Sequence, residues 1–317
     1  MAFSRLAVLG LLLFLTFSIA GCGGGNLLTP IDISPCPQAA PSGSTNVPAS
    51  NHVFLVVEEN ASYSSVIGNS VMPYLNSLAS SGGLATQYFA DTHPSIGNYF
   101  MLTTGHTITN DDSFSGIVSD DNLVRHLIAS GKTWKSYAES LPSVGYTGPD
   151  AYPYLKRHNP FAYFSDVVQS SQANNLVPFS QFGHDVVNNQ LPDFSFLVPN
   201  AQNDAHDCPP GVANCSGTQK LAAADAWLQS NISPLISSAD FQQDGLLLIV
   251  FDESDLTDIQ HGGGHVALVI VGPKTRKGHQ STACSQHENA LRTVGQSLGL
   301  SAFPGNAANV PDLSEFF

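Results

Sequence analysis

Short runs of apolar, often β-branched residues limit what this chain can fold into. The strongest runs are Val53–Val57 and the first residues of Leu246–Ser254. Weaker ones lie at His265–Pro273, Phe194–Asn200 and Thr133–Glu139. A run that is apolar at successive positions, instead of at every second one, indicates a strand buried on both faces of a sheet. Such strands are typical of a largely parallel sheet whose two faces are both covered.

Helical patterns lie between these strands. Apolar residues recur at three- and four-residue spacing in Val71–Ser80, Asp121–Ser130, Thr218–Ser230 and Asn289–Leu298. Strands that alternate with helices predict an α/β fold with a mostly parallel sheet and helices on both faces. Residues 140–190 are irregular and rich in aromatic side chains, and we expect them to form an insertion over one edge of the sheet.

The charge of the chain excludes one class of partner. Lys and Arg number 11 against 25 Asp and Glu, which gives a formal net charge of −14, and no basic run is present. A protein that binds nucleic acid needs a basic surface for the phosphate backbone. We therefore expect no nucleic-acid partner, whereas a small anion can still bind to a metal ion, backbone N–H groups or histidines.

The N-terminus has the features of an export signal. Arg5 precedes an apolar run that ends at Ala20, too short to span a bilayer comfortably. The sequence Ile19-Ala20-Gly21-Cys22 resembles the lipobox of bacterial lipoproteins, whose cysteine is acylated. It predicts a lipoprotein signal peptide at 1–21, lipidation of Cys22, and attachment to a membrane of a bacterial cell envelope through that lipid alone. An ordinary signal peptide cleaved near Ala20 is the alternative.

The residues after Cys22 divide into a tether and a folded domain. Gly, Pro and Ser are frequent up to Asn51, which predicts a flexible tether at 22–51 and a domain at 52–317. The four remaining cysteines allow three disulfide pairings in an oxidising compartment. Because Cys208 and Cys215 enclose a short loop, we predict Cys208–Cys215 and Cys36–Cys284. A thiol metal site is the alternative, although the spacing fits no zinc pattern well.

Acidic residues follow the two strongest strands. Glu58-Glu59-Asn60 ends the first and Asp252-Glu253 ends the second. Ligands of open α/β sheets bind beyond the carboxyl ends of the strands, and oxygen ligands suit a divalent cation. The pattern predicts a cation between these two strand ends, although acids are also common at exposed strand ends that bind nothing.

A serine stands where a helix is expected to begin. Pro94-Ser95 opens a helical segment that runs to about Thr103, and free N–H groups at a helix N-terminus attract an anion. Ser95 is therefore a candidate nucleophile for an anionic substrate, with Asn98 near enough to face the same oxygen atoms. The simpler interpretation is that Ser95 only caps the helix.

Two further segments concentrate chemically useful side chains. Asp204, His206 and Asp207 lie together in a loop directly after a predicted strand. The segment His261–His265 is His-Gly-Gly-Gly-His, and its glycines allow a close approach of the backbone to a ligand.

Five motifs in this order resemble one known family. They are EENASYSSVIG, HPSIGNYFMLTTG, PNAQNDAHDC, VFDESD with HGGGHVALVIVGP, and HENALRTVGQSLGL. The chain is similar over about residues 52–300 to the bacterial phosphoesterase family that contains acid phosphatases and phospholipases C. That family belongs to the alkaline-phosphatase-like superfamily, so the resemblance implies that fold and a small phosphorylated substrate.

The resemblance also implies roles for individual residues. Ser95 matches the nucleophile that forms a phosphoserine. The implied metal ligands are Glu59, Asn60, Asp252, Glu253 and Ser95. His206 and His265 match catalytic positions near the phosphate, and the implied substrate contacts are Asn98, His287 and His93. Asp204 and His206 could hold part of a second metal site, but the Asp-Glu pair at 252–253 favours one divalent ion over two.

Several functions remain open at this point. An acid phosphatase acting on phosphomonoesters is favoured over a phospholipase C or other phosphodiesterase, because Tyr63-Ser64 replaces the Phe-Asp of the longer phospholipases C. A hydrolase of carboxyl esters is a rival, since His-Gly-Gly-Gly resembles the oxyanion loop of some lipases, but in those enzymes the loop precedes the nucleophile elbow and here it lies near the C-terminus. A lipoprotein that binds metal or another ligand without catalysis is the last alternative.

Overall fold

The apolar runs of the sequence form a single sheet. The computed structural model describes residues 32–41 and 45–317, so the predicted signal peptide and Cys22 lie outside the described residues. The strands are β1 Val53–Glu58, β2 Gly83–Ala85, β3 Trp134–Ala138, β4 Leu176–Pro178, β5 Phe194–Val198, β6 Leu246–Phe251, β7 Leu268–Val271 and β8 His279–Ser281. Their order across the sheet is β4-β3-β5-β1-β6-β7-β2-β8.

The five predicted helical segments are present, the one predicted at Thr218–Ser230 extending to Ser237, and four further helices of the described residues were not predicted. The helices are α1 Tyr63–Val66, α2 Pro73–Ser81, α3 Ser95–Thr104, α4 Leu123–Ala129, α5 Ser165–Val168, α6 Ser180–Val187, α7 Gly217–Ser237, α8 Ala239–Asp244 and α9 His287–Ser297. Short 3₁₀ segments lie at Lys156–His158, Pro160–Ala162, Ser171–Asn175, Gly305–Ala308 and Ser314–Phe316.

The sheet is mostly parallel, as predicted. Within the described residues β7 is the strand that runs against both of its neighbours, β6 and β2. The connection from β6 to β7 contains no helix, and a parallel pair needs a long crossover, usually helical, to return the chain to the same edge. The strand predicted at His265–Pro273 is therefore shorter and antiparallel, at Leu268–Val271.

Helices cover both faces of the sheet. On one face Phe54 of β1 packs against Phe182 of α6 and Phe241 of α8, with ring centroids about 6 Å apart. On the other face Phe196 of β5 packs against Tyr99 of α3. Each strand side chain therefore meets an apolar layer, which explains why these runs are apolar at every position.

Residues 140–190 were predicted to be an insertion over one edge of the sheet, but they also contribute a strand and core residues. They supply β4, which pairs with β3 at one edge of the sheet. They also supply Phe161, which packs on Phe196 in the interior, and His158, which is 1% exposed. The segment is thus part of the core and approaches the carboxyl ends of the strands.

Both predicted disulfides are present, Cys36–Cys284 and Cys208–Cys215. All four cysteines are thereby bonded, which removes the alternative of a thiol metal site. The part of the predicted tether that the structure describes lies against the domain, where Val47 is buried and Thr45 donates to Asp312. None of the helices in residues 32–41 and 45–317 qualifies as a membrane span.

Candidate active site

The acidic ends of β1 and β6 lie side by side. Glu58 pairs with Phe251 in the parallel register, which sets Glu59 beside Asp252 one position further along. Because successive side chains of a strand point to opposite faces, Glu58 is directed away from Glu59. Glu59, Asp252 and Glu253 are each 2% exposed or less. The structure thus brings together the three carboxylates that the sequence singled out.

Ser95 is the first residue of α3, and its hydroxyl meets these carboxylates. Ser95 Oγ lies 3.0 Å from Glu59 Oε2 and 3.2 Å from Glu253 Oε1. Pro94 occupies the N-cap position, and the helix has no side-chain cap hydrogen bond. The capping interpretation therefore does not describe Ser95, whose hydroxyl is used by carboxylates from two different strand ends.

The cluster has the features expected of a cation site. Asp252 Oδ2 is buried without a hydrogen-bond partner. Asn60 lies between the two carboxylates: its backbone N–H donates to Asp252 Oδ1 and its side-chain Nδ2 donates to Glu59 Oε2. Burial raises the pKa of Glu59 well above its usual value, and the nearby charges of Asp252, Asp204 and Glu253 raise it further. A divalent cation would offset this repulsion, and oxygen donors of this kind suit one. The oxygen atoms of Glu59, Asn60, Asp252, Glu253 and Ser95 are thus of the kind that suits a divalent cation.

His93 contacts the cluster from outside. Its Nδ1 lies 2.8 Å from Glu253 Oε2 and its Nε2 lies 3.0 Å from the Asp258 carbonyl oxygen. Burial alone would lower the pKa of His93, but these two bonds raise it. Both ring nitrogens are thus engaged, and His93 orients Glu253 instead of facing open space, as outer partners of metal ligands commonly do.

Asn98 braces the segment that precedes Ser95. Its Oδ1 accepts from the N–H groups of Asp91 and Thr92, and its Nδ2 donates to the Thr92 carbonyl oxygen. The side chain is fully buried. One hydrogen of Asn98 Nδ2 is not used in this network, and it is the one that could make the predicted contact with a phosphoryl oxygen.

His287 lies behind Asp252. Its Nε2 is 2.7 Å from the Asp252 carbonyl oxygen and its Nδ1 is 2.9 Å from the Tyr88 hydroxyl. Burial lowers the pKa of His287 to about 4. This position differs from the expected contact with substrate, because both ring nitrogens are occupied within the protein and His287 supports the backbone of Asp252.

His265 is also placed differently from the catalytic position expected for it. Its ring stacks on Tyr63 with centroids 4.3 Å apart, and its Nε2 lies 3.1 Å from the Thr86 carbonyl oxygen. Among the described residues no hydrogen bond joins it to Ser95 or to the three carboxylates. The glycines before it allow close packing within the protein instead of a close approach to a ligand. At Gly262, for example, a Cβ would stand 2.1 Å from the Asp91 carbonyl oxygen.

The alternative function, hydrolysis of carboxyl esters, is not supported by the geometry. The pentapeptide Gly295–Gly299 has the form Gly-x-Ser-x-Gly, but its Ser297 ends helix α9 instead of standing on a strand-to-helix turn. Ser297 Oγ donates to the Pro48 carbonyl oxygen. Ser95, for its part, contacts carboxylates and not a histidine, so neither serine forms a Ser-His pair.

A second group of polar residues adjoins Glu59. His158 Nε2 lies 3.2 Å from Glu59 Oε1, and His158 Nδ1 lies 3.2 Å from Asp204 Oδ2. Donor atoms of Glu59, His158 and His206 all lie within 4.8 Å of one another. Tyr99 of α3 stacks on the His158 ring almost in parallel and fixes its plane. Burial, then the neighbouring His206 and Arg157, lower the pKa of His158 well below its usual value.

Arg157 stands over this group. Its Nη2 lies 3.3 Å from His206 Nε2, while His206 Nδ1 lies 2.9 Å from Asp207 Oδ1. Arg157 Nε lies 3.6 Å from the Asp112 carboxylate. Asp112 also accepts from the Ile96 N–H in the first turn of α3. A carboxylate thus lies between the guanidinium and the start of the helix that carries Ser95.

Comparison with known proteins decides the family. The sequence model of the Phosphoesterase family matches residues 69–301.

The chain belongs to the Phosphoesterase family.

This phosphoesterase is therefore a hydrolase of phosphoric ester bonds. It is 34% identical over 283 residues to a phosphatidylinositol-3-phosphatase of Mycobacterium tuberculosis, covering 89% of this chain and 87% of that protein. It is 30% identical over 251 residues to a probable acid phosphatase of Kluyveromyces lactis, covering 76% of this chain and 56% of that one. The chain spans little more than half the length of such fungal acid phosphatases.

Solved structures of low sequence similarity share the fold of this phosphoesterase. A protein of the alkaline phosphatase superfamily from Vibrio parahaemolyticus superposes with a TM-score of 0.56 at 13% identity, over 85% of this chain and 72% of that one. The predicted fold class is confirmed by this likeness.

Two residues of the phosphoesterase site were missed by sequence reasoning, Arg157 and His158. Both lie in the irregular segment 140–190, which no strand or helix pattern assigned to the site. A signal was present, because Lys156-Arg157-His158 places two of the chain's 11 Lys and Arg residues directly before a histidine.

Proposed function

We propose that this phosphoesterase is an exported, metal-dependent acid phosphatase that hydrolyses phosphomonoesters through a phosphoserine at Ser95. The observation that carries the proposal is the position of Ser95 Oγ, between carboxylates of two strand ends and free of any capping role. The likeness to an acid phosphatase and a phosphatidylinositol-3-phosphatase supports a phosphomonoester substrate over a phosphodiester.

A divalent cation is proposed among Glu59, Asn60, Asp252, Glu253 and Ser95. An ion held there would lower the pKa of the serine hydroxyl and would neutralise charge on the phosphoryl oxygens. The buried carboxylates and the unpartnered oxygen of Asp252 support this assignment.

We propose one ion instead of two. Glu59, His158 and His206 are near enough to share a second, with Asp204 behind His158. Asp207 engages His206 Nδ1, so Nε2 is the nitrogen left to bind a metal. Arg157 stands 3.3 Å from that nitrogen, and its fixed positive charge opposes a cation there. Metal analysis of the purified protein should find one equivalent, and two equivalents bound with similar affinity would contradict the assignment.

The residues of the chain divide the reaction between them. Ser95 Oγ, having lost its proton to solvent, attacks phosphorus, and the bond from phosphorus to the leaving alcohol breaks. Once Arg157 Nη2 turns from His206 Nε2 to the phosphoryl group, a protonated His206, held at Nδ1 by Asp207, gives a proton from Nε2 to the departing oxygen. Arg157 binds the phosphoryl oxygens, for which its planar donors are suited. Water then attacks phosphorus while giving a proton to the now neutral His206 Nε2, the bond to Oγ breaks, and phosphate is released.

Attachment to a membrane is part of the proposal. The lipobox at 19–22 supports acylation of Cys22, and two disulfides support an oxidising compartment. Cys22→Ala should move the protein from the membrane fraction to the soluble fraction. A mutant that stays in the membrane fraction would count against the lipid anchor.

A substrate panel tests the activity. The purified protein should hydrolyse phosphomonoesters faster than phosphodiesters, intact phospholipids and carboxyl esters, and removal of metal should abolish this. Ser95→Ala should remove nearly all turnover, whereas Ser195→Ala, at a serine equally buried in β5, should keep it. Full activity of Ser95→Ala, or of the metal-free protein, would defeat the proposal.

A further inference from the structure

A cavity of about 430 Å³ lies beside the proposed cation site and has no role in the steps above. We call it the side cavity and define it by Asn60, Ser62, Ser65, Thr218, Lys220 and Asp255, which line it. Its walls come from the loop after β1 with α1, from the first turn of α7, and from the loop after β6.

The side cavity begins one side chain away from the nucleophile. Asn60 Nδ2 donates to Glu59 Oε2, the same oxygen that Ser95 Oγ contacts. On the opposite wall Lys220 Nζ donates to the carbonyl oxygen of His206, the proposed proton donor. The cavity thus lies between the residue that would receive the phosphoryl group and the loop that would protonate the leaving oxygen.

The polar lining of the side cavity is made of hydroxyl and amide groups. Ser62 Oγ and Ser65 Oγ lie 2.8 Å apart on one wall, and Thr218 stands exposed on the other. Asn69 adds an amide. No aromatic side chain lines the cavity. Such groups can each donate to and accept from the hydroxyls of a ligand.

The charges of the side cavity disfavour an anionic group within it, so that the phosphodiester of a lipid headgroup would lie outside the cavity. Its one cationic lining residue, Lys220, is already engaged by the His206 carbonyl oxygen. Asp255 brings a carboxylate to the rim, where its Oδ1 accepts hydrogen bonds from the backbone N–H and the hydroxyl of Thr257. A carboxylate accepts hydrogen bonds from neutral hydroxyls but repels phosphate.

The remaining lining is apolar and small. Ala61, Ala205 and Leu221 are buried and face the cavity between the polar walls. A ring with hydroxyls on its edge and C–H groups on its faces matches a lining of this kind, since ligand sites combine an apolar surface with a few placed polar groups.

We propose that the side cavity binds the leaving alcohol of the substrate, and that this alcohol is polyhydroxylated, as in a sugar or cyclitol ring. The inference rests on the proposed phosphomonoesterase activity and specifies its substrate class. The same ring can reach the site as a soluble phosphate ester or as the headgroup of a lipid, and the two sources are separable by experiment.

The test compares two monoesters that differ only in ring hydroxyls, myo-inositol 1-phosphate and cyclohexyl phosphate. The inositol ester should have a kcat/KM at least about tenfold higher, the effect of one or two added hydrogen bonds. Thr218→Val and Ser65→Ala should each lower kcat/KM for the inositol ester several times more than for the cyclohexyl ester. Thr282→Val, at an exposed threonine outside the cavity, should change neither.

A short-chain phosphoinositide with a monoester phosphate on its ring provides the lipid arm. A kcat/KM above that of cyclohexyl phosphate for either inositol compound supports the side cavity as a polyol subsite, and the better of the two identifies the source. Equal values for all three esters, with equal losses in the Thr218 variant, would overturn the subsite while leaving the phosphomonoesterase intact. Failure to hydrolyse any monoester would overturn both.

Discussion

The polar residues around Ser95 form two groups that differ in how the protein uses them. The inner group, Asn98 and His287, is fully buried, and its ring nitrogens and amide atoms bond to neighbouring backbone or to Tyr88. The outer group, Arg157 and His206, is partly exposed, with side chains 16% and 23% accessible. Both groups stand near the same serine, yet only the outer one has side chains exposed to a ligand from solution.

This difference separates positioning from binding. The inner group fixes the start of α3 and the backbone of Asp252, so its loss should act through the shape of the site. The outer group should act on the substrate itself. The carboxylates of Glu59, Asp252 and Glu253 lie between the two groups, and the effect of either group on the reaction requires the site that these carboxylates form.

The largest effect should come from the carboxylates. Glu59→Gln removes a negative charge from the proposed cation site and should lower kcat/KM by more than about 10³-fold. Glu58→Gln is the matched control, because Glu58 ends the same strand but is directed to the opposite face. Steady-state kinetics and metal analysis of both variants check this. Equal losses in the two variants would show that the strand end, and not the cation site, was disturbed.

The next effect should come from the outer group. Arg157→Gln should raise both KM and the inhibition constant of inorganic phosphate by roughly 10- to 100-fold, the value of a charge-assisted bidentate contact. Arg125→Gln serves as the control, because Arg125 lies on α4 and is paired with Asp166 of α5. Unchanged phosphate inhibition in Arg157→Gln would remove this residue from the outer group.

A smaller and different effect is expected from the inner group. Asn98→Ala leaves three buried backbone groups without a partner and should lower the free energy of unfolding by about 1–3 kcal/mol. Phosphate inhibition of the folded variant should stay close to that of the wild type. A stable Asn98→Ala variant that no longer binds phosphate would place Asn98 in the outer group, as the family resemblance implied.

The smallest effect should come from Asp112, which lies between the outer group and the start of α3. Its carboxylate accepts from the Ile96 N–H, where an anionic substrate would also be attracted. Asp112→Asn should strengthen phosphate inhibition about two- to fivefold, because a negative charge near the helix N-terminus is removed. Weaker phosphate inhibition in this variant would mean that Asp112 supports the phosphate position instead of competing for it.

The sequence predicted the carboxylate cluster because strand ends and helix starts have local patterns. The proximity of Glu59 and Asp252 could be predicted from the sequence, since parallel strands end at the same edge of a sheet. The roles of Asn98, His265 and His287 depend on which atoms their side chains bond, and no spacing encodes that choice. His158 was missed because its segment packs into the core through Phe161 without a periodic pattern.

The central claim is that Ser95 carries the phosphoryl group during turnover. The most direct measurement is an acid quench during hydrolysis of a phosphomonoester, followed by proteolysis and mass spectrometry of the peptides. The account predicts phosphate on the peptide that contains Ser95, and no phosphopeptide from Ser95→Ala. Phosphate found on a histidine after an alkaline quench, with Ser95→Ala still turning over substrate, would contradict it.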